Sequence, residues 1–243
     1  MRGPVGLAVS ATLLMTLPAQ AQTLSDPRCP YSFETRVARP TIVVAQARVT
    51  CAVEANAGLA NRVLAETRQA VGRAVGAAEA ETRGKAVEAR AERRFTLDVE
   101  PAHVTQRVAS LLATATEREG DARPLVTPRT LTWDLDRGLY VTLGELFREP
   151  RPGGPAMTAL RDAVRAALRD KAPALAEAIK AEPQSFRAWT LTPGADPGPA
   201  SGITFHYGTS ERAPEGATAF VPVEVLAPHL APARRELFGM GRR

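Results

Sequence analysis

The chain has 243 residues, a formal net charge of +5, 44% hydrophobic and only 5% aromatic residues. That length buries one good core or two small ones, and the modest positive excess comes mainly from Arg scattered among Glu along helical stretches, with no basic cluster interleaved with aromatics of the kind nucleic-acid binding needs. No segment after the N-terminus approaches the roughly 18 consecutive apolar residues of a membrane helix.

Arg2, the apolar run from Val5 to Leu17 and the small-residue site Ala19-Gln20-Ala21 have the charged, apolar and cleavage regions of a secretory signal peptide over residues 1–22. The mature chain then begins near Gln22, is periplasmic and carries no stable membrane span. Loss of Arg2 lowers the formal charge from +5 to +4. Cys29 and Cys51 are the only 2 cysteines. In an exported chain an even count reads as a disulfide, which would stabilise the fold by roughly 3 kcal/mol; the competing thiol-nucleophile or metal-pair reading lacks a C-x-x-C or zinc spacing.

Tyr31 to Val37 and Thr41 to Thr50 read as two strands around Arg39-Pro40. After Cys51 the period changes. Val53, Ala60, Val63, Leu64, Thr67, Val71, Ala74, Val75 and Ala78 fall on one face at helical spacing, predicting a long helix with an Ala-rich contact face. Phe95, Leu97 and Val99 then alternate with polar residues as a half-buried strand stopped by Pro101, and His103 to Glu117 continues as one long strand. Arg118 to Arg123 is a polar connection.

Leu131, Trp133 and Leu135 alternate with Thr130, Thr132, Asp134 and Asp136, and Asp136-Arg137-Gly138 supplies a turn into the strand Leu139–Val141. Thr142 to Glu145 has the spacing of a capping box. From Ala156 to Ala181 a helical stripe is interrupted by Pro173, predicting two helices with the proline in the first turn of the second. Phe186–Thr192, Ile203–Tyr207 and Ala219–Val225 read as further strands, the last an edge strand or one carrying a bulge because it contains Pro222. Residues 232–243 read as a basic, frayed tail. The fold class is therefore α+β, in two lobes with antiparallel sheets each packed against helices: a small α/β lobe from residue 23 to 93 that continues into 94–120, and a second α+β unit over 94–231.

The order W-D-L-D-R-G-L-Y-V-T-L-G-E-L-F, a helical pair, F-R-A-W-T-L, G-I-T-F-H-Y and G-A-T-A-F-V-P-V-E-V-L resembles a family of exported domains of unknown function. That domain is seen at the extracytoplasmic end of the anti-sigma factor RsiV and beside the catalytic domain of the peptidoglycan deacetylase PdaC. Asp134, Leu135, Gly138, Leu143, Glu145, Leu146 and Phe147 match its first signature, and Gly202, Ile203, Phe205, Gly216, Val221 and Pro222 its second. The chain departs from the family at E-G-D-A-R-P and at His206-Tyr207-Gly208, which stand in place of a Gly-Gly-Ala-His-like and a Pro-Tyr-Glu segment. What the resemblance implies is an envelope-facing recognition module whose ligand does not carry over; a basic chain also suits a basic lysozyme partner poorly.

Candidate ligand-binding residues are Arg123, Asp134, Asp136, His206 and Tyr207. Asp134 and Asp136 would hold a cation or act as an acid/base pair, against a plain reading as turn and solvated strand face. His103, His206 and His229 follow no metal-ligand spacing, and no nucleophile-elbow, Walker or H-E-x-x-H motif is present, so neither a metal nor another cofactor is expected. Trp133, Trp189, Phe205 and Tyr207 would line a sugar-stacking groove if exposed, with Tyr207 the one most expected at the surface, and would be core otherwise. The first functional expectation is a non-enzymatic module binding a cell-envelope polymer or a secreted protein. A hydrolase using Asp134, Asp136 and His206, and a sensor or assembly partner of a membrane complex, are the alternatives.

Overall fold

The computed structural model describes residues 33–38, 42–49, 57–82, 93–194 and 198–241, the first two segments as backbone. The signal segment, Cys29 and Cys51 lie outside the described residues. The fold is α+β. A six-stranded sheet takes β1 (Phe33–Ala38), β2 (Ile42–Val49), β3 (Arg93–Val104), β4 (Val108–Glu119), β5 (Leu125–Asp134) and β6 (Leu139–Tyr140) in sequence order. All its neighbours pair antiparallel except β2 and β3. These two run parallel because α1 (Ala57–Thr82) intervenes, the crossover that a parallel pair requires. The sheet thus runs unbroken across residues 94–120 and draws on both expected segments.

α1 covers one face of this sheet. Leu59, Ala60, Val63, Ala70 and Val71 pack on Phe95, Leu97, Val99, Leu111 and Leu131, the alternate residues of three neighbouring strands. A second sheet of β7 (Trp189–Pro193), β8 (Ala200–Tyr207) and β9 (Ala217–Pro222) is antiparallel throughout. It packs with α2 (Leu143–Leu146), α3 (Pro155–Leu168), α4 (Pro173–Ala178) and α5 (Val223–Leu226) around Leu146, Met157, Val164, Leu191, Ile203 and Phe205.

Several elements form for the reasons their sequences state. Glu145 Oε2 accepts the Thr142 N–H at 2.8 Å, closing the reciprocal cap that starts α2. Pro173 stands at the first turn of α4, where its missing donor costs nothing. Pro222 ends β9, an edge strand.

Others differ. β3 does not stop at Pro101 but continues to Val104 through a register shift between Pro101 and His103. Its pairing with β2 ends at Val99, so Pro101 lies beyond that ladder and its missing N–H forfeits no bond to it. The run His103–Glu117 is not one strand: it breaks at 105–107, where Thr105 Oγ1 accepts the N–H groups of Arg107 and Val108, both at 3.2 Å. Phe186 closes a 3-10 turn, Pro183–Phe186, before β7 begins, and Val223 and Val225 belong to α5. The basic tail folds as a 3-10 helix, Pro232–Phe238, anchored by buried Phe238 and ended by Gly239 at φ 73°.

The two sheets are joined by hydroxyls. β7 crosses over β3, β4 and β5, and it is an edge strand whose outward N–H groups need acceptors. Trp189 N–H donates to Thr130 Oγ1 and Leu191 N–H to Ser110 Oγ, each at 3.0 Å. Ser110 is itself hydrogen-bonded to Thr132 at 3.0 Å, and both are buried. The outer edge of β5 is closed by a loop: Val126 N–H donates to Thr209 Oγ1 at 2.8 Å and Val126 O accepts the Thr209 N–H at 2.9 Å. A Cβ at Gly208 would collide with the Val126 carbonyl oxygen, so this closure needs glycine.

Candidate functional site

Three sequence-distant pieces meet at one end of the large sheet: the β3–β4 turn, the β5–β6 turn and the C-terminal 3-10 helix. Between them lies a cavity of about 440 Å³ bordered by Arg107, Asp134, Asp136, Arg137, Arg234 and Glu236. The β5–β6 turn forms because Asp134 Oδ1 accepts the Arg137 N–H at 3.0 Å, while Gly138, at φ 65°, donates its N–H to Asp134 O at 2.9 Å. Asp134, rather than Asp136, is therefore the residue whose side chain bonds the backbone downstream. Its second oxygen meets Arg234 Nη1 at 2.8 Å, with side-chain exposures of only 13% and 10%. Both carboxylate oxygens are thus engaged, one folding the turn and the other pinning the C-terminal helix. Arg234 Nη2 also lies 3.9 Å from Glu145 Oε2, which ties the same guanidinium to the start of α2.

The rim is more open. Arg107 Nη1 pairs with Glu236 Oε2 at 2.8 Å and its Nε lies 3.5 Å from Asp136 Oδ2. With Arg107 and Asp136 60% and 61% exposed, these pairs are worth about 0–1 kcal/mol each.

The other expected site residues lie elsewhere. Arg123 is exposed beside Arg118 and Leu125 at the opposite end of the β4–β5 ladder from Asp134, roughly 30 Å away at strand rise. His206 stands on β8 with Nε2 2.8 Å from Thr190 Oγ1, and burial pushes its pKa down. Tyr207 is half-buried against the small sheet's core; its hydroxyl donates to Ser185 O at 3.2 Å, and burial raises its pKa strongly. It is therefore not the exposed aromatic of a groove. Trp189 and Phe205 are core, Phe205 lying 5.3 Å from Phe186, ring centre to ring centre, and Trp133 stacks edge-on to Tyr140 at 5.0 Å. So the structure brings Asp134 and Asp136 to one cavity and leaves Arg123, His206 and Tyr207 outside it. Among the described residues no group of three or more His, Cys, Asp or Glu side chains could hold a metal ion, and no helix is long and apolar enough to cross a membrane.

Sequence reading missed Arg107, Arg234 and Glu236. Arg107 sat inside a supposed strand, and only the hydroxyl of Thr105 signals the break. Arg234 and Glu236 sat in a supposed tail, where Pro232 and the apolar pair Leu237-Phe238 are the signs of a docked helical turn.

No family model matches the chain, and no curated protein does. Among solved structures it is similar to a DUF3298 family protein from Pseudomonas aeruginosa, 15% identical with a TM-score of 0.50 over 87% of this chain and 95% of that one. A member of the DUF3298 family from Bacteroides fragilis is 16% identical with a TM-score of 0.47 over 74% of this chain and 71% of that one. Both structures are of domain-of-unknown-function proteins, and at 15% identity the likeness to the Pseudomonas aeruginosa protein is one of fold.

Proposed function

We propose that the chain is a periplasmic, non-enzymatic binding module for a cell-envelope polymer, held at the charged cavity. The observation that carries this reading is the division of labour in that cavity. Its base, Asp134 with Arg234, is largely withdrawn from solvent and committed to structure, while its rim presents exposed Arg107 and Asp136 and half-buried Glu236, groups of both signs. A rim of mixed donors and acceptors suits a polymer rich in hydroxyl and amide groups, because each rim pair opens at little cost. The signal-peptide pattern and the sequence resemblance to the domain of RsiV and PdaC support the same reading.

The protein purified from a periplasmic extract should co-sediment with purified peptidoglycan sacculi, and an Arg107→Ala/Asp136→Ala double variant should remain in the supernatant with its thermal melt unchanged. A wild-type protein that stays in the supernatant, or a double variant that sediments equally, overturns the proposal. If the protein instead captures a secreted protein at the same rim, the polymer reading is lost.

A further inference from the structure

A second cavity, of about 260 Å³, lies between α1 and the face of the large sheet, away from the charged cavity. It exists because small side chains face each other there. α1 contributes Thr67 and Ala70 where the sheet contributes Ala113, while Val63, Leu97 and Leu111 form apolar walls. Polar groups along it are mostly settled. Thr67 Oγ1 donates to Val63 O at 2.7 Å. Glu66 is paired with Arg62 at 3.0 Å and accepts from the Tyr140 hydroxyl.

The cations are not settled. Arg73 on α1 and Arg129 on β5 border the cavity from the two elements that enclose it, and both are exposed. Among the described residues neither is in an ion pair. Two unengaged guanidinium groups at an apolar cavity whose one acid is already neutralised form a site complementary to an anion with an apolar body. Guanidinium is also the group whose fork matches a carboxylate. The volume selects a small body: drug-sized ligands occupy about 300–1,000 Å³, whereas a dry apolar cavity of about 150 Å³ takes benzene.

We infer that the cavity between α1 and the large sheet binds a medium-length straight-chain carboxylate, its alkyl tail among Val63, Leu97 and Leu111 and its carboxylate between Arg73 and Arg129. The site is independent of the charged cavity and of the polymer reading.

Titration of the full-length protein with decanoate below its micelle concentration, followed by calorimetry, should give saturable one-to-one uptake. Arg73→Gln/Arg129→Gln, two exposed positions whose change leaves the core intact, should weaken it at least tenfold, and a decyltrimethylammonium probe with a similar tail and the opposite head should not bind. Ala113→Leu, which fills the cavity, should abolish uptake while the thermal melt stays cooperative. Absence of saturable uptake, retention of wild-type affinity in the double Arg variant or in Ala113→Leu, or equal binding of the cationic probe overturns the inference.

Discussion

His103 is buried near the end of β3, where the register shift turns it, and its Nε2 has no hydrogen-bond partner among the described residues. Burial alone lowers its pKa from 6.5, so the folded state favours the neutral ring while the unfolded chain accepts a proton more readily. Where the unfolded state binds more protons, stability rises with pH. The contribution of His103 is therefore fully present above its unfolded value and is lost as pH falls below it. His206, also lowered by burial, acts in the same direction. We predict that urea midpoints fall between about pH 7.5 and pH 5, and that His103→Gln shrinks this slope. An equal slope in the variant would show that His103 does not titrate on unfolding. Asp134 carries a related lesson at this scale. Its sequence neighbours announced a turn, but its use as the partner of Arg234 was invisible, because an ion pair across 100 positions leaves no local pattern.

At the scale of elements, the strands that read clearly were those with one face in a core. Phe95, Leu97 and Val99 alternate because only one side of β3 meets α1. The capping box at Thr142 and the helix opened by Pro173 were legible because their chemistry is local. The turn after Val104 was not, since it contains neither glycine nor proline and its one side-chain signal is a threonine hydroxyl. Nor was the junction of the sheets. Ser110 and Thr130 look like ordinary polar positions on a strand, and only the crossing of β7 makes them acceptors for Leu191 and Trp189. Ser110→Ala should cost about 1–3 kcal/mol in urea unfolding, the cost of a buried N–H left without an acceptor. A loss below about 0.5 kcal/mol would mean that water or a shift of β7 replaces the hydroxyl.

At the scale of the whole molecule, the expected division near residue 94 cuts through bonded strands. A fragment of residues 94–231 deprives β3 of β2, strips α1 from Leu97, Leu111 and Leu131, and removes the Arg234 that neutralises Asp134. We predict that this fragment shows no cooperative thermal melt, while the full chain unfolds in a single transition; a cooperative melt in the fragment, read by circular dichroism, would establish it as an autonomous unit. The hydroxyl joint between the sheets has a further consequence for how this architecture tolerates change. Grease accepts many shapes, so the apolar interior can drift through Leu, Ile, Val and Met with modest losses. A peg that must reach a single amide accepts few: in a library randomised at 110 and 130, survivors should be confined to serine and threonine while neighbouring positions scatter.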